Sequence, residues 1–151
     1  MPITYLSGDP LLTSAQILAF GHNVRGRVEL GALETELLNR YPAAFATYGK
    51  QCRNGRIKTG QLWLWRESRP MLGFMVVRES SVGATRVRYV EAVALNLARD
   101  YQRENIHSIA IAPPGSREEW PNLKPVLEHW LGRSALPCYV YEEYLPGVQA
   151  E

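Results

Sequence analysis

Apolar residues in this chain fall into two kinds of block, short continuous runs and stripes that recur every three or four positions. The runs predict strands and the stripes predict helices. Ile3 to Leu6 is the first run, closed by the turn-forming Ser7-Gly8-Asp9-Pro10, and Ile17 to Phe20 is the second. From Gly31-Ala32-Leu33 a helical stripe of Leu33, Leu37 and Leu38 leads to Pro42. Pro42 suits the first turn of a further helix, because its missing N–H would have no partner there, and Phe45, Tyr48 and Cys52 carry that helix towards Gly55. Gly60 to Trp65 and Met71 to Val77 predict two strands joined by a polar turn containing Glu67 and Pro70, hence a hairpin. Thr85 is placed to cap a helix whose buried stripe is Val87, Val90, Ala94, Leu97 and Tyr101. Ile109 to Ala112 is apolar throughout, as expected of a central strand covered on both faces. Trp120 to Leu131 predicts a last helix that stops near Gly132, and Cys138 to Glu142 predicts a last strand.

This order of elements places the chain in the α/β class, as a three-layer α/β/α sandwich around a mixed sheet of about six strands. At 151 residues it fits one domain over positions 1–151, with no repeat, linker or low-complexity tract dividing it. A chain of this size buries roughly two-thirds of its unfolded surface. It contains no run of about 18 apolar residues and no leader-like segment, so the expected setting is the cytoplasm, with no membrane partner. Cys52 and Cys138 lack CxxC spacing and read as structural thiols. The net charge of +2 is too small for an electrostatic footprint on bulk nucleic acid. Basic charge is nevertheless available locally, since Arg25 and Arg27 flank Gly26 and Arg53, Arg56 and Lys58 cluster further on. A polyanionic small ligand or a modified nucleotide remains compatible.

Two segments point to the site. Gln16 to Asn23 followed by Gly26, and Ile109 to Ala112 followed by Pro113-Pro114-Gly115-Ser116, both read as a buried strand running into a loop of small residues. In open α/β sheets, ligands bind in the crevice at such strand exits. Neither GxGxxG, GxxxxGK[ST] nor GxSxG occurs, and His22, His107 and His129 show no ligand spacing, so neither a metal nor a cofactor is expected. What survives is a phosphate cradle of backbone N–H groups, for which Gly26, Gly31, Gly115 and Ser116 are the candidates. A simple chain turn at Pro113-Pro114-Gly115 is the alternative.

Taken together, these pieces resemble the macro domain, the ADP-ribose-binding α/β/α module, and within it the antitoxin-type branch that removes ADP-ribose from DNA. The resemblance is carried by Ile3-Thr4-Tyr5-Leu6-Ser7-Gly8-Asp9-Pro10-Leu11-Leu12, by Arg40-Tyr41-Pro42 through Tyr48, by Thr59-Gly60-Gln61 through Trp65, and by Ile106-His107-Ser108 through Gly115. It implies that Asp9 accepts a hydrogen bond from the adenine amino group, a role compatible with capping a short helix at Pro10. It implies further that Asn23 faces the distal ribose, that Gly26 and Gly31 lie in the first ligand loop, and that Gly115 and Ser116 lie in the second. Tyr141 or Tyr144 falls near the adenine-side aromatic position.

The chain also departs from that family. Phe20 stands where the first asparagine is expected, and loop one reads Arg25-Gly26-Arg27-Val28-Glu29-Leu30-Gly31 in place of a glycine run. Loop two is cut to Gly115-Ser116-Arg117-Glu118-Glu119, and Arg78-Glu79-Ser80-Ser81-Val82 holds no lysine where the DNA-directed branch uses one. Two hypotheses follow. One is a macro domain that binds ADP-ribose, or an ADP-ribosylated macromolecule, and hydrolyses the modification with Arg78, Glu79 or His22 as candidate catalytic groups. The other is a catalytically inactive macro fold that serves as an interaction or nucleic-acid-binding module.

Overall fold

A computed structural model describes residues 3–150. Six strands, β1 (Ile3–Gly8), β2 (Ile17–Asn23), β3 (Leu62–Trp65), β4 (Met71–Arg78), β5 (Ile109–Ile111) and β6 (Cys138–Tyr144), form one sheet in the order β1-β6-β5-β2-β4-β3. All neighbours are parallel except the β3–β4 hairpin. Four helices, α1 (Ala32–Arg40), α2 (Pro42–Arg53), α3 (Val87–Asp100) and α4 (Trp120–Leu131), supply the crossovers. The expected mixed six-stranded α/β/α sandwich is therefore the observed architecture.

Strand alternation assigns the two faces. Ile17 and Ala19 of β2 join Ile109 and Ile111 of β5 in a core under α3 and α4, filled by Val90, Val93, Ala94, Leu97, Leu123, Leu127 and Leu131. Leu18 and Phe20 point the other way and join Leu72, Phe74 and Val76 of β4 under α1 and α2, against Leu33, Leu37, Ala44 and Tyr48. All seven residues of β2 are buried, as a central strand of a parallel sheet requires.

Two details differ from the sequence expectation. The second strand continues past Phe20 to Asn23, because β4 runs alongside it and pairs with it as far as Arg78. Thr85 does not cap α3. Arg86 occupies the cap position without a side-chain hydrogen bond, while the buried Thr85 hydroxyl accepts from Arg78 Nη1 and donates to the Pro114 carbonyl. A guanidinium in reach outcompetes the local helix end for that hydroxyl.

The exit of β2 lies hard against the exit of β5. A Cβ on Gly21 would sit 2.5 Å from the Pro114 carbonyl oxygen, a contact with backbone that cannot swing aside. Gly21→Ala is expected to cost about 1–3 kcal/mol in urea denaturation. A loss within experimental error would show that this close approach does not constrain the fold.

Candidate functional site

The carboxyl ends of β2, β4, β5 and β6 open on one cleft of about 770 Å³. One wall is the β2–α1 loop from Glu29 to Gly31 with the first turn of α1, the other is the β5–α4 loop from Pro113 to Arg117, and Pro10 and Tyr144 stand at the β6 end. Arg78 closes the β4 end.

Of the residues singled out from sequence, Gly31, Arg78, Gly115, Ser116 and Tyr144 line this cleft, as does Tyr141. The remaining five do not. Asp9 is buried; one carboxylate oxygen accepts from Leu11 N–H at 3.0 Å, capping the short 3-10 turn Pro10–Leu12, and the other accepts from Gly147 N–H at 2.8 Å. Asn23 is buried inside loop one. Its Oδ1 accepts from the N–H groups of Arg25 and Arg27, and its Nδ2 donates to the Arg27 carbonyl and to Glu29 Oε2. All four hydrogen-bonding positions of the amide are thereby used to shape the loop. Gly26 packs on α2, and Glu79 is exposed with its carboxylate accepting from Tyr89 Oη at 2.6 Å.

His22 is also turned away from the cleft, towards α2. Its ring lies among Phe45, Tyr48 and Phe74 at centroid distances of 5.7, 5.1 and 5.6 Å, and its Nδ1 accepts from Asn23 N–H. Burial disfavours the imidazolium and pushes its pKa down to about 4, against a smaller opposing pull from Glu29. A neutral imidazole in an aromatic nest is suited to packing.

The centre of the cleft wall is Arg78, which sequence reading identified without its partner. Its Nη2 donates to Glu29 Oε1 at 2.6 Å and its Nε to Glu29 Oε2 at 3.1 Å, while Nη1 donates to Thr85 Oγ1 and the Pro114 carbonyl, each at 2.8 Å. Both side chains are about nine-tenths buried. One guanidinium thus ties loop one, loop two and the β4–α3 connection together. Glu119 makes a second tie, accepting from the N–H groups of Ser116 and Thr85 at 2.8 and 2.9 Å. Burial raises its pKa, but these hydrogen bonds outweigh that and hold it below the usual range. Glu34, in the first turn of α1, lies beside Gly31 in the cleft, and burial raises its pKa. Glu29 and Glu119 escaped the sequence reading because Arg78 and Thr85, which they tie to their loops, lie 49 and 34 residues away, and Glu34 because its exposure to the cleft depends on how α1 packs. The signal available was a carboxylate set between two glycines in a loop that leaves a buried strand.

No helix among the described residues is long and apolar enough to cross a membrane, and the thiols of Cys52 and Cys138 are free. Among the described residues no group of three or more His, Cys, Asp or Glu side chains is arranged to hold a metal ion.

The six-stranded sheet with its helices and its crest cleft is the macrodomain fold. The macrodomain of Thermus aquaticus DarG superposes with a TM-score of 0.83 over 93% of this chain and 97% of that one, at 21% identity. Thermosipho africanus DarTG in complex with ADP-ribose gives 0.84 over 97% of this chain and 42% of that one, at 17% identity. In sequence, the chain is similar to a DNA ADP-ribosyl glycohydrolase of Mycobacterium tuberculosis (strain ATCC 25618 / H37Rv), 26% identical over 118 residues that cover 75% of this chain. The chain spans about a third of that relative's length. No family model matches.

Two predictions test this geometry. Arg78→Met or Glu29→Gln alone leaves a buried charged group without its partner and is expected to cost about 3–5 kcal/mol in chemical denaturation, with the double variant recovering part of the loss. Single losses below about 1 kcal/mol would show that the pair does not hold the loops. The unfolded His22 imidazole titrates near 6.5 and the folded one near 4, so the unfolded chain binds more protons between these values. Stability is expected to fall as pH drops from 6.5 to 4, by about 3 kcal/mol in all. His22→Phe should flatten that part of the stability profile, and an unchanged slope would assign it to other groups.

Proposed function

We propose that the chain is a single-domain macrodomain module that binds ADP-ribose, or an ADP-ribosyl group on a macromolecule, in the crest cleft. The observation that carries this reading is the cleft itself, set at the parallel strand exits between two loops, one containing Gly31 and the other Gly115 and Ser116. Its position and the fold shared with the ADP-ribose complex of Thermosipho africanus DarTG support it. In this reading the adenine lies at the β6 end, with Tyr144 against its face and Asp9 supporting that wall from behind through the Pro10 turn. The pyrophosphate lies between the Gly31 and Gly115 loops, and the distal ribose points to the β4 end, where Arg78 is. Loop one shaped by Asn23 and Gly26 frames that end. The two free thiols fit a cytoplasmic setting.

Hydrolysis of the ADP-ribosyl bond is the second reading, favoured by the likeness to a DNA ADP-ribosyl glycohydrolase. Of the three catalytic candidates, Arg78 alone reaches the cleft. A guanidinium stays charged at any ordinary pH, so it stabilises negative charge and does not exchange a proton. The proton-exchanging group in this reading is Glu34, whose raised pKa keeps a larger protonated fraction in reach of a leaving group.

Calorimetric titration with ADP-ribose is expected to show saturable one-to-one binding. Tyr144→Ala should weaken it about tenfold, the usual scale for losing one base-stacking partner. Absence of heat at millimolar ligand would overturn the reading, and unchanged affinity in the variant would remove Tyr144 from the site.

A further inference from the structure

We propose that Arg25, Arg27, Arg53, Arg86 and Arg88 form a track beside the β4 end of the cleft for the phosphodiester backbone of a single-stranded nucleic acid. Main-chain hydrogen bonds set the arginines there. Val24 N–H donates to the Arg78 carbonyl at 2.9 Å and Arg86 N–H donates to the Val77 carbonyl at 3.0 Å. Arg25, Glu79 and Arg86 therefore leave the sheet side by side. On the other flank, Gly26 has φ +69° and lies so close to α2 that a Cβ would meet Gly49 Cα at 2.8 Å and Cys52 Sγ at 3.2 Å. That approach brings Arg25, Arg27 and Arg53 around one shallow depression.

All five arginines are exposed, and among the described residues none is within ion-pair distance of a carboxylate. The carboxylate in their field is Glu79, held below its usual range first by the Tyr89 hydroxyl and then by Arg86, Arg88 and Arg25. In a chain of net charge +2, so many unneutralised charges on one side repel each other, and a polyanion relieves that repulsion. Apolar and aromatic side chains neighbour them on the same segments. Val28 and Val82 are 64% and 93% exposed, and the Arg88 guanidinium lies 5.0 Å from the centre of the Tyr89 ring. Guanidinium groups interleaved with such faces suit phosphates and unstacked bases together, which an acidic peptide would not need. Glu29 and Leu30 of the same loop, and Gly83 of the β4–α3 connection, line the cleft, so a strand on the track passes its β4 end. That the strand carries an ADP-ribosyl group rests on the function proposed above; the track itself does not.

The test is fluorescence anisotropy of the full chain with a labelled oligothymidine of about 12 nucleotides. Binding is expected to weaken between about 50 and 200 mM salt, with a log–log slope of about −2 to −3 for three or four phosphates. Arg25→Ala/Arg27→Ala/Arg53→Ala should weaken binding at least about tenfold and reduce the slope by about 2, with Arg86→Ala/Arg88→Ala acting in the same direction. Melting temperature and ADP-ribose heats should stay unchanged in both variants. No anisotropy change at low salt, wild-type affinity in the variants, or equal binding of a polyglutamate of matched charge would each overturn the proposal. If ADP-ribose gives no heat while the oligonucleotide behaves as expected, the track stands and the cleft assignment falls; the reverse pattern does the opposite.

Discussion

The geometry of the cleft depends on one buried charge. Arg78 emerges from the end of a central strand into a place where three connections meet, and the folded state must satisfy its guanidinium there or leave it stranded. Glu29, Thr85 and Pro114 are the partners, and each belongs to a different loop. The β2–α1 connection is thereby held against the ends of β4 and β5. The same carboxylate accepts from Asn23, so the shape of loop one and the pairing of Arg78 are set together. Glu119 repeats the device in loop two with backbone N–H groups. Both walls of the cleft are thus held by internal carboxylates.

The strands and helices were legible in the sequence because each rests on local periodicity. The helix Trp120–Leu131 and the β3–β4 hairpin follow from stripe and run alone, and the full burial of β5 follows from an unbroken apolar run. The cleft was legible for a different reason, since small-residue loops after buried strands mark the crest of a parallel sheet. What stayed hidden was every pairing across sequence distance. Nothing around position 29 shows that its carboxylate meets an arginine 49 residues later. His22 illustrates the same limit, because consecutive residues of a strand face opposite layers and only the pleat decides which one meets the ligand. Here His22 shares its layer with Phe20 and the aromatic rings of α2.

Charge is divided along the crest. Glu34, Glu119 and Glu142 line the cleft together with Arg117, whereas Arg25, Arg27 and Arg53 gather past β4. Loop one supplies both the internal tie, through Glu29, and part of the external patch, through Arg25 and Arg27.

β1 and β6 pair in parallel at the edge of the sheet although most of the chain lies between them. Pro10 and Tyr144, which stand at that end of the cleft, therefore meet only when the strand from Cys138 to Tyr144 has been made. Closing so long a loop costs chain entropy before the pairing returns any gain. The β6 end of the cleft is thus closed by contacts of the longest sequence separation, and its β4 end by contacts between nearer parts of the chain.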